Sequence, residues 1–114
     1  MREIKFRAWN EDNKEMESDR ILSCPSLSYG EMKHLELMQF TGLKDKNGVD
    51  IYEGDVLFCN QWNPNKYQVS FLDGGFCLCD KNNKYAVDIY MIQDSTGVHF
   101  EIIGNIHQNP ELLK

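Results

Sequence analysis

Two carboxylates lie two residues apart near the middle of the chain, and they are its best candidates for acid–base chemistry. Glu53 and Asp55 flank a glycine, and on an extended segment they would share one face, as a general acid and a general base require. Carboxylates beside a glycine turn also accept hydrogen bonds from free backbone N–H groups, and the sequence favours this capping role. His34, His99 and His107 are isolated, with no Ser or Cys beside them. No catalytic residues are therefore predicted, and the chain is not predicted to be an enzyme.

The remaining polar motifs do not fit a metal site. Asp45 begins a segment that resembles a calcium loop, but Asp50 stands where that loop needs glycine and Val56 where it needs its closing glutamate. Cys77 and Cys79 form a Cys-x-Cys motif on a predicted strand, with both sulfurs on one face, yet zinc would need two further ligands. The sequence therefore predicts buried, reduced thiols and no metal or other cofactor.

Charge and hydropathy exclude several classes of protein. The 114 residues include 12 Lys and Arg against 18 Asp and Glu, a net charge of −6. Nucleic-acid binding depends on several phosphate contacts from basic side chains, so nucleic acid is not predicted as the main ligand. No apolar run exceeds four residues, whereas a membrane span needs about 20 and a signal peptide about 7–15. These patterns predict a cytoplasmic protein with no membrane association.

The elements that position these residues are predicted to be short β-strands. Residues 2–9 alternate between apolar and charged side chains, which predicts a half-buried strand. Phe6 and Ala8 fall on the side expected to face the core, and Arg7 and Trp9 fall on the outer side. An apolar strand face at the start of a small protein is also available to a second copy, so a homo-oligomer is predicted.

Glycine-containing turns separate the other predicted strands. The Asp-Gly pair at 73–74 lies between apolar runs over 67–72 and 75–80, which predicts a tight hairpin. Thr-Gly at 41–42 and Asn-Gly at 47–48 predict two further turns. Several short strands with frequent turns favour a small barrel or sandwich.

Other segments are less clearly patterned. Residues 35–40 fit either a strand or one helical turn, and residues 85–92 fit either a strand or a helix. Residues 25–34 have no clear period and are interpreted as a variable loop. Asn109 followed by Pro110 predicts a short terminal helix.

Four blocks of the sequence resemble the pattern of the YopX family, in the order in which the family has them. They reach both ends of the chain, and the central block is long and specific. The departures are small: Asn10 stands where the family often has Asp, and His107-Gln108 where it often has Tyr-Glu. The blocks are Ile-Lys-Phe-Arg-Ala-Trp at 4–9, Leu-Met-Gln-Phe-Thr-Gly-Leu-Lys-Asp-Lys-Asn-Gly at 37–48, Ile-Tyr-Glu-Gly-Asp-Val at 51–56 and Ile-Gly-Asn-Ile-His-Gln-Asn-Pro-Glu-Leu-Leu at 103–113.

This resemblance implies a fold and a genomic context, but no chemistry. It implies a mainly β protein with a small SH3-like barrel over residues 49–114 and a strand-bearing N-terminal extension over residues 1–48, together one compact unit. Family members occur mainly in phages and prophages, which implies a protein of the bacterial host cytoplasm. The family brings no catalytic residues to carry over. Its blocks consist of turn and core residues, so we interpret them mainly as specifying the fold.

Three residues are predicted to contact a protein partner. Trp62 lies in a polar loop between two predicted strands, and exposed Trp residues are frequent in binding hot spots. The alternative is that Trp62 folds back and caps the barrel. Trp9 and Arg7, on the predicted outer face of the first strand, suggest an oligomer contact.

Three functions remain open at this point. The favoured one is a non-catalytic binding or assembly module with a phage or host protein as partner. The second is a nucleic-acid-associated accessory protein, which would need Arg2, Lys5, Arg7 and Lys14 to form a local basic patch around Trp9. The third, a small enzyme, would need a pocket that combines Glu53, Asp55 and a histidine.

Overall fold

The mainly β fold class predicted from the sequence is confirmed. The computed structural model describes residues 4–17, 35–59, 62, 65–80, 82, 84–89 and 100–113. These residues form nine strands and a short 3-10 helix at the position of the predicted terminal helix. In chain order the elements are β1 Phe6–Asn10, β2 Glu15–Glu17, β3 Leu35–Lys44, β4 Asp50–Tyr52, β5 Asp55–Phe58, β6 Lys66–Leu72, β7 Gly75–Cys79, β8 Tyr85–Asp88, β9 Glu101–Asn105 and the 3-10 helix Pro110–Leu113.

The strands form two antiparallel sheets. The first sheet has the order β2-β1-β3-β4, and the second has the order β8-β7-β6-β5-β9. The chain passes from the first sheet to the second at a tight turn, Glu53–Gly54, between β4 and β5. β4 belongs to the first sheet because it pairs with β3. The division into residues 1–48 and 49–114 stays a prediction.

The hairpin predicted at 73–74 is confirmed. β6 and β7 pair in register up to Leu72 and Gly75, which leaves a two-residue loop. Asp73 and Gly74 have φ angles of 52° and 83°, the left-handed values that a type I′ turn requires at both positions. Because this turn has the same twist as the strands, the hairpin continues straight into the sheet.

The turn predicted at Thr41-Gly42 is wrong, because both residues lie inside β3. The pairing register with β4 shifts there, and Gly42 has a φ of 90°. The Thr41 hydroxyl donates to the carbonyl of Ile51 at 2.8 Å and accepts from the backbone N–H of Leu43 at 3.2 Å. A side chain thus supplies hydrogen bonds where the strand is irregular, so the Thr-Gly pair bends β3 without ending it.

The structure decides part of the choice between strand and helix for residues 35–40 and 85–92. Residues 35–40 are strand, within β3, and residues 85–88 form β8. Residues 90–92 and the loop predicted at 25–34 lie outside the described residues. Within the described part of the chain, no helix has the length and apolarity needed to cross a membrane.

The main hydrophobic core packs on the second sheet. Ile51, Leu57, Val69 and Leu78 have no exposed surface, and Phe100 is 1% exposed. Ile51 comes from β4 of the first sheet, so the core also ties the two sheets together. Several partly buried side chains extend this core: Trp62, Phe76, Val87 and Ile102.

The prediction that Arg7 and Trp9 lie on an outer face of β1 is wrong. Trp9 is 4% exposed, and the side chain of Arg7 is 15% exposed. The Trp9 ring stacks on the ring of His107, with centroids 5.4 Å apart, so the C-terminal segment covers this face of the strand. Ala8, on the opposite face, is also fully buried. The charge of Arg7 in an alternating pattern predicted that this side chain faces solvent. Its charge is instead paired inside the protein.

Candidate functional site

A buried ion pair holds the two sheets together. Arg7 of β1 donates from Nη2 to Oδ1 of Asp55 in β5 at 2.8 Å, and the Asp55 side chain is only 2% exposed. The second oxygen of Asp55 accepts the backbone N–H of Tyr52 at 2.8 Å, so the predicted capping role is confirmed for this carboxylate. Burial raises the pKa of Asp55, and the neighbouring Arg7 guanidinium opposes that shift. Asp55 is therefore committed to the fold and is not free for acid–base chemistry.

The glycine next to this ion pair lies where the two sheets meet. Gly54 donates its N–H to the carbonyl of Val69 in β6 at 2.8 Å and accepts the N–H of Ile106 at 2.9 Å. Its φ is 91°, and a Cβ at this position would lie 2.9 Å from Sδ of Met38. Only glycine fits here without displacing a neighbour.

Asp45 makes a second polar link between the sheets. Its Oδ1 accepts the backbone N–H groups of Asn47 and Val49, both at 2.9 Å, and so closes the loop between β3 and β4. Its Oδ2 accepts the N–H of Ile102 in β9 at 3.1 Å. The carboxylate that resembled the start of a calcium loop is thus occupied by backbone donors. We call Arg7, Asp45, Gly54 and Asp55 the sheet junction.

A shallow groove lies beside the sheet junction. It has a volume of about 220 Å³. One wall is the edge of β3, the other is the end of β6, and the turn between β4 and β5 closes the groove between them. We call it the inter-sheet groove; its lining residues are 36–38, 53–54, 68–72 and 106–107.

Exposed apolar side chains line both walls of the groove. Leu37, on the β3 wall, is 53% exposed, and Phe71 and Leu72, on the β6 wall, are 48% and 40% exposed. The Phe71 ring makes an edge contact with Phe76, with centroids 5.1 Å apart. Apolar side chains on facing walls of one groove are typical of a surface that a partner covers.

The polar groups of the groove do not form a catalytic constellation. Nε2 of His107 is buried and has no hydrogen-bond partner among the described residues, and it lies 3.6 Å from Oε2 of Glu36. Oε1 of Glu53 lies 3.5 Å from the backbone nitrogen of Gln39, at the limit of a hydrogen bond. Asp55, which would have completed an acid–base pair, belongs to the sheet junction instead. The groove therefore offers negative charge beside apolar surface.

The three residues predicted to bind a partner lie in different places. Trp62 is half-buried and makes edge contacts with Tyr67 and Phe100, with centroids 5.8 and 5.1 Å apart. These contacts favour the alternative in which Trp62 caps the core. Arg7 and Trp9 lie at the junction of the sheets, behind the groove. A binding role for any of the three stays a prediction.

Sequence reasoning missed the groove, although one signal for it was present. Phe71 and Leu72 are adjacent apolar residues at the end of a strand, and neighbours on a strand point to opposite faces. Both could not be buried by one core, so at least one had to be exposed or covered by something else. Leu37 gives the same signal beside Met38, which is buried.

The three cysteines that the structure describes, Cys59, Cys77 and Cys79, are free and buried. Sγ of Cys77 and Sγ of Cys79 lie 3.7 Å apart, as expected for strand residues on one face. Burial, together with a hydrogen bond to Cys79, raises the pKa of the Cys77 thiol to about 11. Within the described residues, no three His, Cys, Asp or Glu side chains come together as a metal site. The absence of metal stays a prediction.

Comparisons with known proteins confirm the family, with a match that includes the last three of the four sequence blocks and begins after the first. A family model described as YopX protein matches residues 17–114. Among solved structures, the chain is similar to protein EF1440 from Enterococcus faecalis, with 26% identity, a TM-score of 0.72 and coverage of 100% of both chains. No curated protein matches the chain. The likeness to EF1440 thus includes the segments that form both the sheet junction and the inter-sheet groove.

Proposed function

Since the chain belongs to the YopX family, whose motifs in this sequence hold the two sheets together, we propose that it is a non-catalytic module that binds a protein partner in the inter-sheet groove. The observation that carries this proposal is the exposure of Leu37 and Phe71 on facing walls of one groove. Partly exposed apolar side chains around a groove lose water when a partner covers them, which favours binding.

The two other functions have less support. A nucleic-acid accessory protein would need a free basic patch, but Arg7 pairs with Asp55, Lys5 with Asp50 and Lys14 with Glu11. Arg2, the fourth residue of the predicted patch, lies outside the described residues, and with the other three paired the described part of the N-terminal strand offers few phosphate contacts. An enzyme would need Glu53 and Asp55 to act together, and Asp55 is buried in an ion pair.

The proposal extends to context and assembly. The partner is a phage or host protein in the bacterial cytoplasm, and the chain is encoded by a phage or prophage. Residues 49–114 form a small SH3-like barrel, and residues 1–48 are its strand-bearing N-terminal extension. The chain also forms a homo-oligomer, which light scattering at micromolar concentration would contradict by giving a monomer of 13.3 kDa.

Site-specific photo-crosslinking in cells tests the binding groove. A photoreactive amino acid replaces Leu37 in one variant and Val49 in the other. Val49 is the matched control because it is 52% exposed, nearly the same as Leu37 at 53%, and does not line the groove. We expect a defined adduct from position 37 and none from position 49. Equal adducts from both positions, or none from position 37, would contradict the proposal.

A further inference from the structure

We propose that the inter-sheet groove takes an extended, basic and apolar segment of the partner as an added β-strand, paired with the open edge of β3. This inference rests on the proposed function and adds the conformation and chemistry of the segment that is bound. Strand addition is a common way for a sheet with a free edge to hold a peptide, because the backbone supplies much of the affinity.

Within the described part of the chain, the first part of β3 pairs with a strand on one side only. β1 pairs with β3 along Leu35 to Gln39. On the other side, β4 pairs with β3 only at Phe40 and Lys44. Among the described residues, no strand lies opposite Leu35 to Met38 on that side. No described residue therefore pairs with β3 at the position that continues β4, and this position borders the groove.

Backbone alternation shows which residue faces this open position. The carbonyl of Gln39 accepts the N–H of Glu53 at 3.0 Å, so Gln39 directs its backbone groups toward the β4 side. In an antiparallel sheet, residues two apart direct their N–H and C=O to the same side. Leu37 therefore presents both backbone groups to the groove, whereas Met38 presents its groups to β1.

The opposite wall keeps the groove open. β5 pairs with β6 from Lys66 to Gln68, and Gly54 adds a hydrogen bond to Val69. β6 continues to Leu72, and β7 is its one strand partner there among the residues that the structure describes. The end of β6 thus extends past the part that pairs with β5, and Phe71 in this end lines the groove. A bound segment would contact this apolar wall while it pairs with the other.

The side chains on the β3 edge define the chemistry of the segment. Glu36 and Leu37 point to opposite faces of the strand, as neighbours must. A residue of the added strand on the same face as Glu36 meets a carboxylate that is 61% exposed, and a residue on the face of Leu37 meets apolar surface. Glu53 adds a second carboxylate at the end of the groove, and the chain carries a net charge of −6. Alternating Lys or Arg and apolar residues complement this edge.

Amide exchange in the presence of a defined peptide tests the inference. The probe is acetyl-Lys-Val-Lys-Val-Lys-Val-Lys-amide, added to the full-length protein labelled with nitrogen-15. We expect the exchange of the Leu37 amide to slow about tenfold or more at saturation, because that N–H gains an acceptor. The Met38 amide is the internal control, since it is already directed at β1 and should not change.

Two further peptides separate the parts of the inference. A peptide with Glu in place of Lys should bind much more weakly, and a peptide with N-methylated valines should lose both binding and protection of Leu37. Equal binding of the Glu peptide would overturn the basic character of the segment. Binding without slower exchange at Leu37, or no binding of the Lys-Val peptide at millimolar concentration, would overturn strand addition.

The test also separates this inference from the proposed function and from self-association. A photo-adduct at position 37 together with no protection by the peptide would leave the binding groove intact and overturn strand addition alone. Without peptide, protection of the Leu37 amide from exchange should not depend on protein concentration. Protection that increases with protein concentration would make a second copy of the chain the occupant, and would overturn the inference.

Discussion

The sheet junction and the inter-sheet groove are neighbours, but they differ in how far their side chains are paired and buried. At the junction, the oxygens of Asp45 and Asp55 accept hydrogen bonds from backbone N–H groups and from Arg7. In the groove, Leu37 and Phe71 remain about half exposed, and among the described residues no strand lies opposite Leu35 to Met38 on the β4 side of β3. The charged groups of the first region are paired inside the protein, whereas the second region leaves apolar side chains exposed.

This difference separates the residues of the family pattern whose contacts lie within the protein from the residues that are exposed. The blocks at 51–56 and 37–48 contribute Gly54, Asp55 and Asp45, whose contacts lie within the protein. Leu37 lies at the edge of the same pattern but faces outward. A motif shared by a family therefore does not mark a binding site by itself; the contacts of each residue decide.

The largest expected effect comes from breaking the ion pair of the junction. Arg7→Met should lower the free energy of unfolding by about 3–5 kcal/mol, because it leaves the buried Asp55 carboxylate without its cation. Urea denaturation measures this loss. The double variant Arg7→Met with Asp55→Asn should recover a large part of it. A single variant as stable as the parent protein would show that the ion pair does not hold the sheets together.

The same variant has a predicted pH dependence. Burial raises the pKa of Asp55 above its usual 3.8, so the folded state binds this proton at a higher pH than the unfolded state does. As pH falls through the raised pKa, Asp55 takes up a proton, and its unfavourable contribution to the free energy of folding becomes smaller. Without Arg7 the pKa of Asp55 is raised further, so stability depends more strongly on pH. The loss of stability in Arg7→Met should be smaller near pH 5 than near pH 7. An equal loss at both values would contradict this assignment.

Substitution of Trp62 tests whether its side chain stabilises the core or binds a partner. Trp62→Ala should cost about 3 kcal/mol of unfolding free energy, because the ring packs against Tyr67 and Phe100. It should leave the photo-adduct at position 37 unchanged under conditions where the variant is folded. A stable variant that loses the adduct would assign Trp62 to the binding surface instead.

Glycine substitutions give a smaller and more finely resolved test of the junction. Gly48 and Gly54 both have left-handed φ angles, 82° and 91°, but a Cβ at Gly48 has nothing within 4 Å. Gly48→Ala should cost about 1–2 kcal/mol for the backbone conformation alone. Gly54→Ala should cost more, because its Cβ also displaces Met38. An equal loss of unfolding free energy in the two variants, measured by thermal or urea denaturation, would show that the close approach of Met38 to Gly54 does not affect stability.

Much of the fold could be predicted from the sequence because it depends on local patterns. The Asp-Gly turn at 73–74 determines a hairpin within a few residues, and the alternation near the N-terminus predicted a strand, which the structure has at Phe6–Asn10. The burial of Arg7 could not be predicted, since it depends on Asp55, which is 48 positions away in the sequence. The groove was missed for the same reason: its walls come from strands that are distant in the chain and from different sheets.

The most direct test of the account measures stability and binding in one pair of variants. Leu37→Ser and Val49→Ser remove similarly exposed apolar side chains from inside and outside the groove, and each should change the free energy of unfolding by about 0.5 kcal/mol or less. With a photoreactive amino acid at position 71, on the opposite wall, we expect Leu37→Ser to abolish the adduct and Val49→Ser to leave it unchanged. The same adduct in both variants would contradict the claim that the inter-sheet groove binds a partner.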